Sequence, residues 1–247
     1  DYQHKALMIK ENYYPTNHLY LVNDYIQMGN ILKAQEKYDQ AIDYQKLALD
    51  IRENNYPSDH VTIAYSLGHI GIIYSCQSKY DQALEYHKRA MNIYKKCYSS
   101  DHIELATSLN NLGSTLYHLG QSEQALEYHR QALVIQEKYY KTDHVNMTNT
   151  LEHICNIFTD TKNYTQALEN YRRVLAINEK FYSETHLSIV TTLNNIGNTY
   201  YQLEDFDAAL ESQYRALEIL ENHHPTNDSR FANCLNDIGN SLNGQEK

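Results

Sequence analysis

A chain of 247 residues with 42 % apolar content, 21 % charged content and only three prolines has the composition of a folded, helix-rich protein. Its net charge of −10, with no Lys/Arg run, argues against nucleic acid and anionic membranes as partners. No stretch approaches the roughly 18 apolar residues of a membrane span and no apolar leader opens the chain, so a cytoplasmic protein is expected.

In chain order the sequence predicts twelve helices. A single helix lies within 1–17. Helix pairs follow at 18–59, 60–101, 102–143, 144–185 and 186–227, and a single helix within 228–247 closes the chain. The basis is a period of 42 residues, marked by His18, His60, His102, His144 and His186, each with a tyrosine four residues before it. Ala41, Ala83, Ala125, Ala167 and Ala209 keep one register; Ala6, Ala48, Ala90, Ala132, Val174 and Ala216 keep another. A fixed period of this size is the signature of a solenoid. In the pair at 102–143, one apolar stripe covers about Ile103–Leu119 and closes near Gly120, and a second covers about Ser122–Tyr140. Thr142 and Asp143 precede the next apolar run and are residue types that cap helices. No strand-like alternation is sustained, so the expected fold is all-α, a right-handed superhelical solenoid of antiparallel helix pairs.

This pattern resembles the tetratricopeptide repeat (TPR). The matches in the third pair are Leu112-Gly113 in helix A and Ala125 and Ala132 in helix B. An aromatic residue marks the turn at Tyr38, Tyr80, Tyr164 and Phe206, where the third pair has Ser122. The longer unit, with "ALVIQEKYYKTDHVNMTNTL" at 132–151 and "SLNNLG" at 108–113, resembles the kinesin light chain type. On this resemblance 1–17 is a lone helix B, the five pairs are TPR 1 to TPR 5, and 228–247 is a lone helix A. It implies a non-catalytic scaffold that binds an extended peptide segment of a cargo or adaptor protein in a concave groove. The alternative is a regulatory array attached to a catalytic domain outside this sequence. No HExxH, P-loop or GxSxG motif is present, and no cofactor or metal is expected.

On a helical wheel of about 100° per residue, helix A has an apolar side and an opposite polar stripe. In TPR arrays that stripe lines the groove. It holds Asn23, Asn30 and Lys33, then Tyr65 and His69, then Asn110, Asn111 and Tyr117. It continues with Asn149, His153 and Asn156, then Asn194, Asn195, Asn198 and Tyr201, then Asn236 and Asn240. These seventeen residues are the candidate peptide-binding set. A primary amide both donates and accepts, so a ladder of them suits a peptide backbone; the same amides would equally bond neighbouring repeats. The register of Asn110, Asn194 and Asn236 is less needed for packing and is expected to meet ligand. Some members of the superfamily grip a C-terminal carboxylate with groove cations. Here the two registers concerned hold none, and neutral or mildly basic peptides are expected to bind better than acidic ones.

The link histidines recur once per repeat, too far apart to share a metal ion, so a role at the helix start is expected. Cys155 holds the small-residue register of Gly113 and Gly197 and is expected in the core, and the four cysteines are read as free thiols. Both ends cut through a repeat, as in a trimmed chain. Leu7 and Ile9 at one end, and Leu235, Ile238 and Leu242 at the other, are expected to be exposed. A monomer in dilute solution is predicted, with head-to-tail stacking when concentrated.

Overall fold

The links ahead of the five helix pairs each end on a histidine, and each of these histidines starts a helix. The Nδ1 atoms of His60, His102 and His186 accept from the backbone N–H two residues on, at 3.3, 3.3 and 3.2 Å. His18 and His144 do the same at 3.2 and 3.1 Å, each ahead of a short 3-10 turn, Leu19–Leu21 and Val145–Met147. The tyrosine four residues earlier stacks on the ring, with centroids 3.7 Å apart for Tyr98 and His102 and 3.9 Å for Tyr182 and His186. The cap is therefore this histidine, not Thr142 or Asp143. A neutral imidazole nitrogen accepts as a carboxylate does, and the stacked phenol fixes the ring's direction. His102→Ala should lower stability by about 1 kcal/mol, read from urea unfolding.

The computed structural model describes residues 2–15, 17–223 and 229–246, and among these every regular element is helical. The α-helices are α1 (Tyr2–Tyr13), α2 (Val22–Ala34), α3 (Tyr38–Asn55), α4 (Val61–Cys76), α5 (Tyr80–Cys97) and α6 (Ile103–His118). They continue as α7 (Ser122–Tyr140), α8 (Thr148–Asp160), α9 (Tyr164–Phe181), α10 (Leu187–Gln202), α11 (Phe206–His223) and α12 (Ser229–Gln245). The expected boundary at 227–228 lies outside the described residues. The chain divides into two compact units, Asp1–Tyr139 and Tyr140–Lys247. In the first, α2 packs on α3, α4 on α5, and each pair on its neighbour; in the second, α8 with α9 and α10 with α11 repeat the scheme and α12 covers α11.

Within each pair the turn passes through one left-handed residue: Glu36, Ser78, Gly120, Lys162 or Glu204, with φ of 58° to 75°. The next N–H reaches back to close the helix, as Gln121 does to the Leu116 carbonyl at 2.9 Å. Only Gly120 takes this backbone without a Cβ penalty. Gly120→Ala should cost about 1 kcal/mol, and Glu204→Gly should shift the melting temperature the other way.

The alanine registers bear out close helix approach in the five helix pairs, whereas Ala6, in α1, is exposed because no described helix packs over it there. Ala41, Ala83, Ala125, Ala167 and Ala209 are all 0 % exposed, and Ala48, Ala90, Ala132, Val174 and Ala216 are at most 1 %. At the ends, Ile9, Leu235 and Leu242 are exposed as expected, but Leu7 and Ile238 are buried. Leu7 sits against Leu21, Val22 and Tyr25; Ile238 joins Leu220, Phe231 and Cys234. One face of each of these helices already packs on a neighbour, which buries two of the five residues expected to be exposed.

Candidate functional site

Helix A of each pair has a small residue, and helix B lays one large polar side chain over it. A Cβ built on Gly29 would stand 2.7 Å from Gln45 Nε2, and one on Gly71 2.6 Å from His87 Cε1. On Gly113 it would meet His129 Nε2 at 2.7 Å, and on Gly197 Gln213 Cγ at 2.6 Å. The fourth pair replaces this arrangement with Cys155 and Tyr171, both buried. Burial holds the Cys155 thiol well above its ordinary pKa, and its Sγ lies 3.7 Å from the Ala167 carbonyl oxygen, so it is a core group as expected.

The asparagines divide between inward and outward positions. Asn110 is buried, and its Oδ1 stands 2.9 Å from His129 Nδ1. This departs from the expectation that its register is spared from packing: the amide is the hydrogen-bond partner of a buried ring, which would be costly to leave alone. Asn156 Oδ1 accepts from the Tyr171 hydroxyl at 3.1 Å. Asn198 accepts from Gln213 Nε2 at 3.3 Å and donates to Asp237 Oδ2 at 3.1 Å. Asn194 is half-buried, with an Oδ1 that is shielded from solvent and has no partner. Asn23, Asn30, Asn149, Asn236 and Asn240 are exposed, whereas Lys33, His153 and Asn195 are half-buried. Tyr117 is half-buried beside the His118 ring, and Tyr201 packs edge-on to Phe206 with centroids 5.7 Å apart.

Three candidates meet in one place. Tyr65 and His69 of α4 and Asn111 of α6 line a cavity of about 170 Å³. The same wall includes Gly68 and Ile72 of α4, and a Cβ on Gly68 would find nothing within 4 Å. The floor is α5, through His87, Ala90 and Tyr94; α6 completes the wall with Glu104, Thr107 and Ser108. Tyr65 and Tyr94 meet edge to face at 5.7 Å. Burial and a hydrogen bond to Tyr98 push the Tyr65 hydroxyl up to about 12, and burial also raises Tyr94, so both phenols are neutral donors. Burial, with Lys33 and Arg52 nearby, lowers His69. Burial alone lowers His87 to about 4. At neutral pH the cavity therefore offers uncharged rings, hydroxyls and an amide, with Glu104 as the one carboxylate in its wall. The Asn111 amide and the His69 ring make no side-chain hydrogen bond with any described residue.

Helix-wheel reasoning found the α4 and α6 walls and missed the floor. His87 and Tyr94 lie on helix B, and the candidate set was drawn from helix A alone. Arg52 was missed for the same reason; it is half-buried and donates to the Thr62 carbonyl at 2.9 Å and to Ser66 Oγ at 2.7 Å. A usable signal exists in the period: sixteen residues after each small residue of helix A comes Gln45, His87, His129, Tyr171 or Gln213.

No helix among the described residues is long and apolar enough to cross a membrane. No curated protein sequence matches the chain. Among solved structures, BtubC from P. vanneervenii is 18 % identical with a TM-score of 0.75, over 90 % of this chain and 89 % of that one. The nearly identical TPR-like repeats described as kinesin light chain from Podosopora anserina are 17 % identical with a TM-score of 0.73, over 84 % of this chain and 99 % of the other. YrrB, described as a TPR protein with an unusual peptide-binding site, is 20 % identical with a TM-score of 0.55, over 100 % of this chain and 99 % of that one. At such identities the likeness shows the fold alone. The family match rests on the sequence itself: the tetratricopeptide repeat matches residues 16–96, 62–138 and 146–222. With helix pairs, small-residue contacts and buried alanines in the same phase, the chain belongs to the tetratricopeptide repeat family.

Proposed function

We propose that this chain is a protein–protein interaction scaffold that takes an extended peptide segment of a partner along the helix-A face. TPR repeats generally mediate protein–protein interactions and are generally non-catalytic. The observation that carries the reading is the cavity where Tyr65, His69 and Asn111 converge, with the Asn111 amide unengaged by any described side chain. Backbone groups of an extended peptide can pair with such an amide, while the tyrosines supply flat apolar area with a polar tip. The net charge of −10 favours neutral or mildly basic segments over acidic ones. An array of peptides of varied charge, probed with the whole chain, tests this. Peptides that bind should lose about fivefold or more in affinity with His69→Ala and Asn111→Ala combined, at unchanged helicity. Binding that ignores both substitutions, or prefers acidic peptides, would contradict the reading.

Weak head-to-tail association of concentrated chains fits the same architecture. Gly239 stands at the small-residue register with nothing within 4 Å of a built Cβ, and Gln3 of α1 stands at the register that plugs it elsewhere. Light scattering should show a monomer on dilution and growth with concentration that Leu235→Asp suppresses. A closed dimer that survives both would contradict it.

A further inference from the structure

Five helix-B side chains plug the small residues of helix A, and four of them are hydrogen-bonded. Gln45 Nε2 donates to the Ile26 carbonyl at 3.2 Å, and His129 pairs with Asn110 at 2.9 Å. The Tyr171 hydroxyl donates to Asn156 at 3.1 Å. Gln213 donates to Asn198 at 3.3 Å and accepts from Ser241 Oγ at 2.9 Å. His87 is the exception. Its ring is 2 % exposed and makes no hydrogen bond with any described residue. Gln45 and His129 each also keep one buried atom without a hydrogen-bond partner, Oε1 and Nε2, whereas the His87 ring lines a cavity, so its hydrogen-bonding capacity is open to whatever enters there.

The sequence shows what is missing. Asn110, which satisfies His129, lies three residues before Gly113; three residues before Gly71, the corresponding residue is Gly68. The side chain that would pair with His87 is absent, and the cavity of about 170 Å³ opens there, lined by Gly68 and His87 together. That volume exceeds the roughly 30 Å³ share of one water several times over.

The geometry points to an anchor site for a neutral carboxamide side chain, asparagine or glutamine, of a bound peptide, standing beside His87 where Asn110 stands beside His129. This rests on the groove reading in taking the occupant to be part of a peptide. A carboxamide has both a donor and an acceptor, and a neutral imidazole has one of each. An apolar side chain would leave the ring unpaired. A carboxylate would share the wall with Glu104, and the nearby cations, Lys33 and Arg52, stand by His69 without lining the cavity. Asn111 and the phenol of Tyr65, in the same cavity wall, can take the second amide hydrogen or the peptide backbone.

The test uses the whole chain with isotope-labelled histidine, the His87 signal being assigned by its loss in His87→Gln. Propionamide and propionate are the probes. Propionamide should move the His87 ring resonances in a saturable way, propionate much less, and Gly68→Asn should abolish the response, since the introduced amide fills the site and pairs with the ring. In the peptide array, binders should be enriched in Asn or Gln at one position. Replacing that residue by norleucine should cost about tenfold in the wild type and little in Gly68→Asn. An equal or stronger response to propionate, no saturable shift, or a shift that persists in Gly68→Asn would overturn the inference. Peptides that bind without an Asn or Gln preference would overturn it while leaving the groove reading standing. A propionamide response in the absence of any peptide binding would support the carboxamide site and remove the groove reading.

Discussion

When the pH falls from 7 to about 4, the chain should lose about 3 kcal/mol of stability through His87 alone. Unfolded, this imidazole takes up a proton near pH 6.5; folded, it is held neutral down to about 4, by burial. Between those values the unfolded state binds more protons, so stability falls as pH falls; above about 6.5 the contribution is constant. His87→Gln places at this register the residue found at Gln45 and Gln213. Urea unfolding of the two proteins at pH 7 and pH 4.5 isolates the effect, because the carboxylates common to both cancel in the difference. The wild type should lose about 2 to 3 kcal/mol more than the variant. Equal losses would mean that the ring is protonated inside the folded chain.

Ala132→Leu should destabilise by about 1 to 3 kcal/mol. Ala132 is 0 % exposed, and its counterparts in α3, α5, α9 and α11 are at most 1 % exposed, so added carbons have nowhere to go without separating helices. For a chain of this size that corresponds to a fall in melting temperature of about 2 to 4 °C per kcal/mol. Val134, on the same helix and 63 % exposed, provides the control. Val134→Leu should leave the melting temperature where it was. An unchanged value for Ala132→Leu would place that register away from the contact.

The fold was legible because its largest determinants are periodic. Alanines and glycines mark close approach whatever surrounds them, and the apolar stripes have helical spacing, so α6 and α7 fall within a residue of their expected limits. The link histidines were expected at the helix start, but the cap itself was expected from Thr142 and Asp143. Asp and Thr stand just ahead of the helix and are the usual cap types, whereas His102 caps only in combination with the ring stacked on it four residues earlier. The cavity wall was legible on helix A and its floor illegible on helix B. Gln45, His87 and Gln213 are hydrophilic side chains on a hydrophilic helix, and only the glycine facing each one explains why it is buried. Asn110 and Asn111 look alike in sequence, yet Asn110 turns inward to His129 while Asn111 faces the cavity. The hundred degrees between adjacent residues of a helix makes that difference, and the neighbour on helix B decides its meaning.

The central claim, that the helix-A face of the first unit receives a peptide, is most directly tested by hydrogen exchange of the whole chain with and without a saturating peptide taken from the array. Added protection should concentrate in α4 and α6, over Tyr65–Ile72 and Thr107–Asn111, with α7 little changed. Protection confined to α7 and the outward face of α5, with α4 and α6 exchanging as in the free chain, would contradict it.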